Sequence, residues 1–335
     1  MLSRMITCIS FSIYVTLGLH AQDTQIKGFA SFNTTYKDDK VSFGFDEQDL
    51  FINSIINDRL SFLGESVFKI SDEDDHHFIV SIERLVLRYN LFGNNDLIVG
   101  KIHTALNYWN NTFHHGRVFY PTCFRPLLFS ENIIPLHVTG IGIEGHDMGD
   151  KRIGYHAFIS NGQSAGEIKD NNADKSITLA LTAKPIDRLK VGVSYYNDRF
   201  KAGEMVHGTE ISANLKQQLI TLSAVWFGRK LEAMAEGMTS LNKPENSNNK
   251  ATYSGYIYGG YRLKEKWIPY LRYDNITYPK GEIFYHGIDT QSFLCGLRYE
   301  MSFLAAIKLE YQHTFYPGTD LKANNILNAQ FAIGF

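Results

Sequence analysis

Charged and imidazole side chains gather in one stretch of this chain. Between Leu106 and Leu136 lie His114, His115, Arg117 and Arg125, with Glu131 the one acid. Just upstream, at alternate positions, come Arg84, Arg88, Lys101 and His103, preceded by Glu65 and Lys69. Far downstream, Glu232 and Glu236 repeat the same spacing. Bases on one side of a water-filled space and carboxylates on the other set up a transverse field, which orients dipoles and biases ion flow. The plainer reading of the same residues is a set of solvated, mutually paired charges.

The residue types point away from other chemistries. His114 and His115 are adjacent, so they point apart in an extended chain, and no CxxC or HExxH spacing accompanies them. The run Asp72-Glu73-Asp74-Asp75-His76-His77 lacks the glycine and spacing of a calcium loop. We therefore expect no metal and no cofactor. A GxSxG elbow, a phosphate-binding loop and a dinucleotide fingerprint are all missing, so the sequence reads as a non-enzyme. A net charge of −2 gives no reason to expect a nucleic-acid partner.

What must position these charges is a set of strands. In 303–315, Ala305, Ile307, Leu309, Tyr311 and His313 alternate with Leu304, Ala306, Lys308, Glu310 and Gln312. The stretches 251–263 and 188–197 repeat the pattern, placing Tyr256, Tyr258, Tyr196 and Lys190 on the polar side. Two kinds of connection take turns. Tight turns are expected at Asn57-Asp58, Gly93-Asn95, Met148-Lys151, Pro185-Asp187, Gly228-Lys230, Lys264-Lys266 and Glu300-Ser302. Longer polar loops are expected around 38–44, 71–77, 106–135, 161–173, 198–208, 242–250, 277–288 and 317–325. Fifteen connections make about 16 strands, within bounds of 14 to 18, and 206–227 reads either as one bulged strand or as a hairpin. No stretch has the ~18 uncharged apolar residues of a membrane helix, so any spanning must be by a closed barrel of strands.

The two ends agree. Arg4, the apolar run Met5 to Leu19 and small Ala21 before Gln22 predict a secretory signal peptide at 1–21, leaving one domain at 22–335. Cys123 and Cys295 then remain, on a loop and on an apolar strand face, where they are not expected to pair. At the other end, Leu327, Ala329, Phe331, Ile333 and Phe335 share one face, and Asn328, Gln330, Ala332 and Gly334 the other.

This ending resembles the closing strand of bacterial outer-membrane barrels, in which the terminal Phe belongs to the assembly signal. The 106–136 connection is the third long loop. It carries Tyr108, Trp109, Phe113, Phe119, Tyr120, Phe124 and Phe129, and it resembles the loop that general porins fold inward. The resemblance implies an all-β transmembrane barrel with that loop in its lumen. It also implies outer-membrane lipid around the barrel, small hydrophilic solutes diffusing through it, and a homotrimer. On that reading Arg117, Arg125, His114, His115 and Glu131 form the constriction, while Arg84, Arg88, Lys101, His103, Glu232 and Glu236 line the wall. Two rivals are a closed structural or adhesin-like barrel that binds a partner through its loops, and a substrate-specific anion or oligosaccharide channel. A third loop lying outside the lumen would favour the closed barrel.

Overall fold

A computed structural model describes residues 23–335, except 71–77, 115, 165–169, 171, 207 and 246. The expected signal peptide, the Asp72–His77 run and His115 fall outside the described residues. The strands in chain order are β1 (Asp23–Lys37), β2 (Lys40–Ile55), β3 (Leu60–Ile70), β4 (Phe78–Phe92), β5 (Asn95–His103), β6 (His137–Met148), β7 (Ile153–Ser160), β8 (Ser176–Ile186) and β9 (Leu189–Phe200). A two-residue hairpin follows, β10 (Met205–Val206) with β11 (Thr209–Glu210). Then come β12 (Leu215–Phe227), β13 (Leu231–Pro244), β14 (Lys250–Tyr261), β15 (Trp267–Thr277), β16 (Thr290–Ser302), β17 (Ala305–Phe315) and β18 (Asn324–Gly334). Among the described residues, all but β10 and β11 join into one closed antiparallel barrel of 16 strands, each paired with its neighbours in sequence order.

Closure falls where β1 meets β18. Beyond the ladder, Gly28 N–H donates to the Phe335 carbonyl at 2.8 Å and Phe335 N–H donates to the Gly28 carbonyl at 2.9 Å. A Cβ at Gly28 would lie 2.4 Å from the Phe335 ring, so only glycine lets that ring sit over the seam.

The alternation read from the sequence fixes the faces. On β17, Ile307, Leu309 and Tyr311 are exposed, whereas Ala306, Lys308, Glu310 and Gln312 are buried. β18 exposes Leu327 and Phe331 and buries Asn328, Gln330 and Ala332. Exposed Ile220, Leu222, Ile257, Leu271 and Phe293 continue the outer belt. Apolar outside and polar inside, on tilted strands of this length, is the surface a bilayer requires. Leu309→Arg would put a guanidinium into that belt and is expected to cost about 2–4 kcal/mol. Guanidinium unfolding of the barrel refolded in lipid measures it; an unchanged midpoint would mean Leu309 does not face lipid.

Two connections differ from expectation. The predicted loop at 38–44 is instead a two-residue turn, Asp38-Asp39, with φ of 49° and 60°. The polar Lys-Asp-Asp-Lys run suggested a loop, but Asp tolerates the left-handed region and two such residues make a tight hairpin. Val41, Phe43 and Phe45 then continue the outward face. At the far end, the predicted Glu300–Ser302 turn falls at residues 303–304, because β16 runs on to Ser302. The ambiguous 206–227 stretch resolves into the small hairpin plus β12, so the barrel count stays at 16.

Candidate functional site

The long third loop leaves β5 after His103 and returns at His137, and these two residues pair directly across the strands. Its neck is held by Asn110, whose Nδ2 donates to the Thr104 carbonyl at 2.9 Å and the Leu136 carbonyl at 3.1 Å. Between lie a short helix α1 (Tyr108–Thr112), a 3-10 turn (Arg117–Phe119) and a second short helix α2 (Leu127–Ser130).

The loop's apolar residues explain its position. Trp109 is 1% exposed. Its ring meets Phe113 at 5.3 Å, Tyr120 at 5.4 Å, Phe129 at 6.2 Å and, on the barrel wall, Tyr256 at 6.0 Å. Leu106, Leu128, Ile133 and Ile134 are buried in the same cluster. A loop in solvent would leave these groups wet. Folded inward it removes them from water, at about 1.5–3 kcal/mol for each large side chain fully buried.

Charged side chains of the wall bind the loop's peptide groups. Glu236 accepts from the Tyr108 and Trp109 N–H groups at 2.6 and 2.8 Å, satisfying the first turn of α1, and from the Tyr256 hydroxyl at 2.6 Å. Glu310 accepts from Cys123 N–H at 2.9 Å and from the Tyr270 hydroxyl at 2.7 Å. Asp49 on β2 accepts from Gly116 N–H at 3.2 Å.

Basic residues take the loop's carbonyls. Arg272 donates to Phe124 O at 2.7 Å, to Arg125 O at 3.1 Å and to the Thr122 hydroxyl at 2.6 Å, while its Nε donates to Asp274 at 2.9 Å. Arg298 Nη2 meets both oxygens of Glu232 at 2.8 Å, and Nη1 donates to Pro121 O at 3.0 Å. Lys308 donates to Arg117 O at 2.5 Å and to Thr122 O at 3.2 Å. Buried charges cost several kcal/mol each unless paired and hydrogen-bonded. Here the loop's backbone supplies the missing partners, so wall and loop stabilise one another.

The residues predicted from sequence are therefore distributed unevenly. Glu232 and Glu236 do face the lumen side, but the loop covers them: Glu232 pairs with Arg298 and with Arg262, the latter at 2.9 Å, and Glu236 caps α1. Arg117 stacks over Tyr120 at 4.9 Å and lies 3.9 Å from Asp46; Arg125 reaches Glu47 at 3.7 Å. Glu131 is exposed at the C-cap of α2. Arg84 pairs with Glu65, and Arg88 bonds Glu144 at 2.7 Å. Lys101 does not line the pore wall: it pairs across the ladder with exposed Leu85 on the outward face, because Ile102 takes the inward position, and it donates to the Ile82 carbonyl on β4. His103 and His114 meet at the neck, with ring centroids 4.1 Å apart. Cys123 and Cys295 are both free thiols, and burial pushes the Cys123 thiol well above its usual range.

Beside the loop the lumen holds a polar cavity. The cavity, of about 230 Å³, lies between the start of α1, where Asn107 at the N-cap, Tyr108 and Asn111 line it, and the wall of β6 to β9 and β12. Its charged lining is Glu144, Asp147, Arg152, Lys184 and Lys190, with His146 and His156. Lys184 lies 3.2 Å from Asp147, and the Lys190 ammonium sits 5.3 Å above the Tyr108 ring. Sequence reasoning put Lys190 inward but did not select it, since nothing local says which side of the barrel the loop leaves free.

No protein-family profile and no curated protein sequence matches the chain. Solved structures do. OmpF of Salmonella typhi, in complex with daunomycin, superposes with a TM-score of 0.66 at 11% identity, covering 93% of this chain and 97% of that one. An anion-selective porin from Comamonas acidovorans gives 0.66 at 11% identity, covering 94% and 100%. The trimer form of OmpT, an outer membrane protein of Vibrio cholerae, gives 0.64 at 16% identity, covering 94% and 100%. The chain thus has the fold of 16-stranded outer-membrane barrels over nearly its whole length.

Proposed function

We propose that this protein is an outer-membrane porin, a non-enzymatic barrel through which small hydrophilic solutes and ions diffuse. The observation that carries this reading is the third loop: it crosses the lumen, is held on the far wall by buried charges, and leaves a polar cavity against β6 to β9, which we read as the solute lane. A barrel of this strand number encloses water unless something fills it, and the loop fills part. The same position of the loop disfavours a closed barrel that would bind a partner with its third loop held outside.

The Comamonas neighbour is named anion-selective, and the lane here has its own basic excess: Arg152, Lys184 and Lys190 against Glu144 and Asp147. We assign it a bias toward anions. Lys190→Glu exchanges a cation for an anion within the lane and is expected to shift the reversal potential under a salt gradient toward cations. An unchanged reversal potential would place Lys190 off the ion path. Trimerisation, as in the OmpT trimer form, is part of the proposal, and cross-linking in native membranes tests it.

Liposome swelling tests the function itself. Vesicles carrying the refolded barrel should swell in small sugars and amino acids, more slowly as the solute grows. Folded barrel that admits none of them would remove the porin reading.

A further inference from the structure

Three imidazoles from three separate segments meet at the neck of the loop. His103 ends β5, His137 begins β6, and His114 folds back over both from within the loop. Ring centroids are 4.1 Å apart for His103 and His114, 4.4 Å for His114 and His137, and 5.2 Å for His103 and His137. One ring nitrogen from each lies within 4.8 Å of the other two. His103 and His114 are buried and His137 is partly so.

The surroundings orient the rings. Asn110 donates through Nδ2 to two carbonyls, Thr104 and Leu136, so its amide orientation is fixed and Oδ1 is an acceptor. His114 Nδ1, 2.8 Å from that Oδ1, must therefore carry the proton. Its Nε2 then holds the lone pair. Two carboxylates stand behind the other rings: Glu83 Oε2 is 3.0 Å from His137 Nε2, and Glu65 Oε2 is 3.8 Å from His103 Nε2. The Asn110 amide holds the His114 ring by a hydrogen bond, and the two carboxylates stand close to the other rings; amides and carboxylates in such places are the usual outer support of histidine metal ligands.

We propose that His103, His114 and His137 form a binding site for a divalent transition metal, Zn²⁺ foremost, that pins the constriction loop to the junction of β5 and β6. Zinc bound by imidazole at about 2.0–2.1 Å holds its ligand nitrogens roughly 3.4 Å apart, so a side-chain adjustment of about an ångström closes the site. Glu83 offsets part of the dication's charge, Glu65 being already paired with Arg84, and water completes a tetrahedron. Thiols are not involved, and hard cations such as Mg²⁺ and Ca²⁺, which want oxygen ligands, are not expected to compete. The expectation of no metal weighed His114 only against its neighbour His115. The partners that matter lie 11 and 23 residues away in sequence.

The test is a calorimetric titration of Zn²⁺ into untagged, refolded barrel in detergent, its folding checked by heat-modifiable gel mobility. It needs no conductance, so its result stands apart from the porin reading. We expect one Zn²⁺ per barrel, binding lost in His114→Ala, and binding weakened about 10- to 100-fold in Glu83→Gln. A loop variant can fail to fold, so the wild type supplies a second readout: Co²⁺ should give the intense visible bands of a tetrahedral nitrogen site, abolished by Zn²⁺. A folded barrel that leaves the aqueous Co²⁺ spectrum unchanged overturns the proposal. So does a zinc stoichiometry that His114→Ala leaves intact, since it would place the metal elsewhere, for example at His76 and His77.

Discussion

Arg272→Met is expected to destabilise the folded barrel by about 3–5 kcal/mol, the usual cost of removing one partner from a buried ion pair. The Arg272 and Asp274 side chains are both 0% exposed. Without the guanidinium, Asp274 keeps the Leu127 N–H at 3.3 Å, which does not replace a charge. Phe124 O, Arg125 O and the Thr122 hydroxyl lose a donor at the same time. Denaturant unfolding of the refolded barrel measures the loss. The double variant Arg272→Met with Asp274→Leu should recover part of it, because no buried charge is then left alone. Arg199→Met, at an exposed pair with a 3.9 Å separation, should stay within about 0.5 kcal/mol of wild type. Similar losses for Arg199→Met and Arg272→Met would contradict the anchoring scheme.

Excising residues 108–131 and bridging the gap with a short Gly-Ser linker should raise the single-channel conductance severalfold. The loop is what narrows the lumen, and an aqueous pore conducts in proportion to its cross-section. The excision is geometrically mild: His103 and His137 already pair across adjacent strands, so a few residues close the gap. Glu236, Glu310, Arg272 and Lys308 would then face water instead of peptide groups, which is an acceptable environment for charges. A conductance equal to that of wild type would mean the loop does not set the narrowest point.

The barrel was readable from the sequence because its physics is local. A strand with lipid outside and water inside must alternate, and β17 or β18 shows this within a dozen residues. The inward fold of the third loop was also readable, since Trp109, Tyr120 and Phe129 have no reason to sit in solvent. Harder to see was what the charges do. Glu310 meets Cys123 across 187 residues, and Arg272 meets Phe124 across 148. Such pairings exist only once the barrel has closed. From sequence, Glu232 and Glu236 read as one side of a field across open water. They proved to be covered supports for the loop, while Lys184, Lys190 and Arg152 flank the lane. The Asp38-Asp39 turn was misjudged because polarity marks loops and tight turns alike, and only the continuing Val41, Phe43, Phe45 alternation separates them.

A porin of this form must give water and small solutes a continuous path beside the third loop. Single-channel recording of the wild-type barrel in a planar bilayer tests it most directly. Stable, ohmic current steps are expected, smaller than those of the loop-excised barrel. No current above the bilayer leak, from protein shown to be inserted and heat-modifiable, would contradict it.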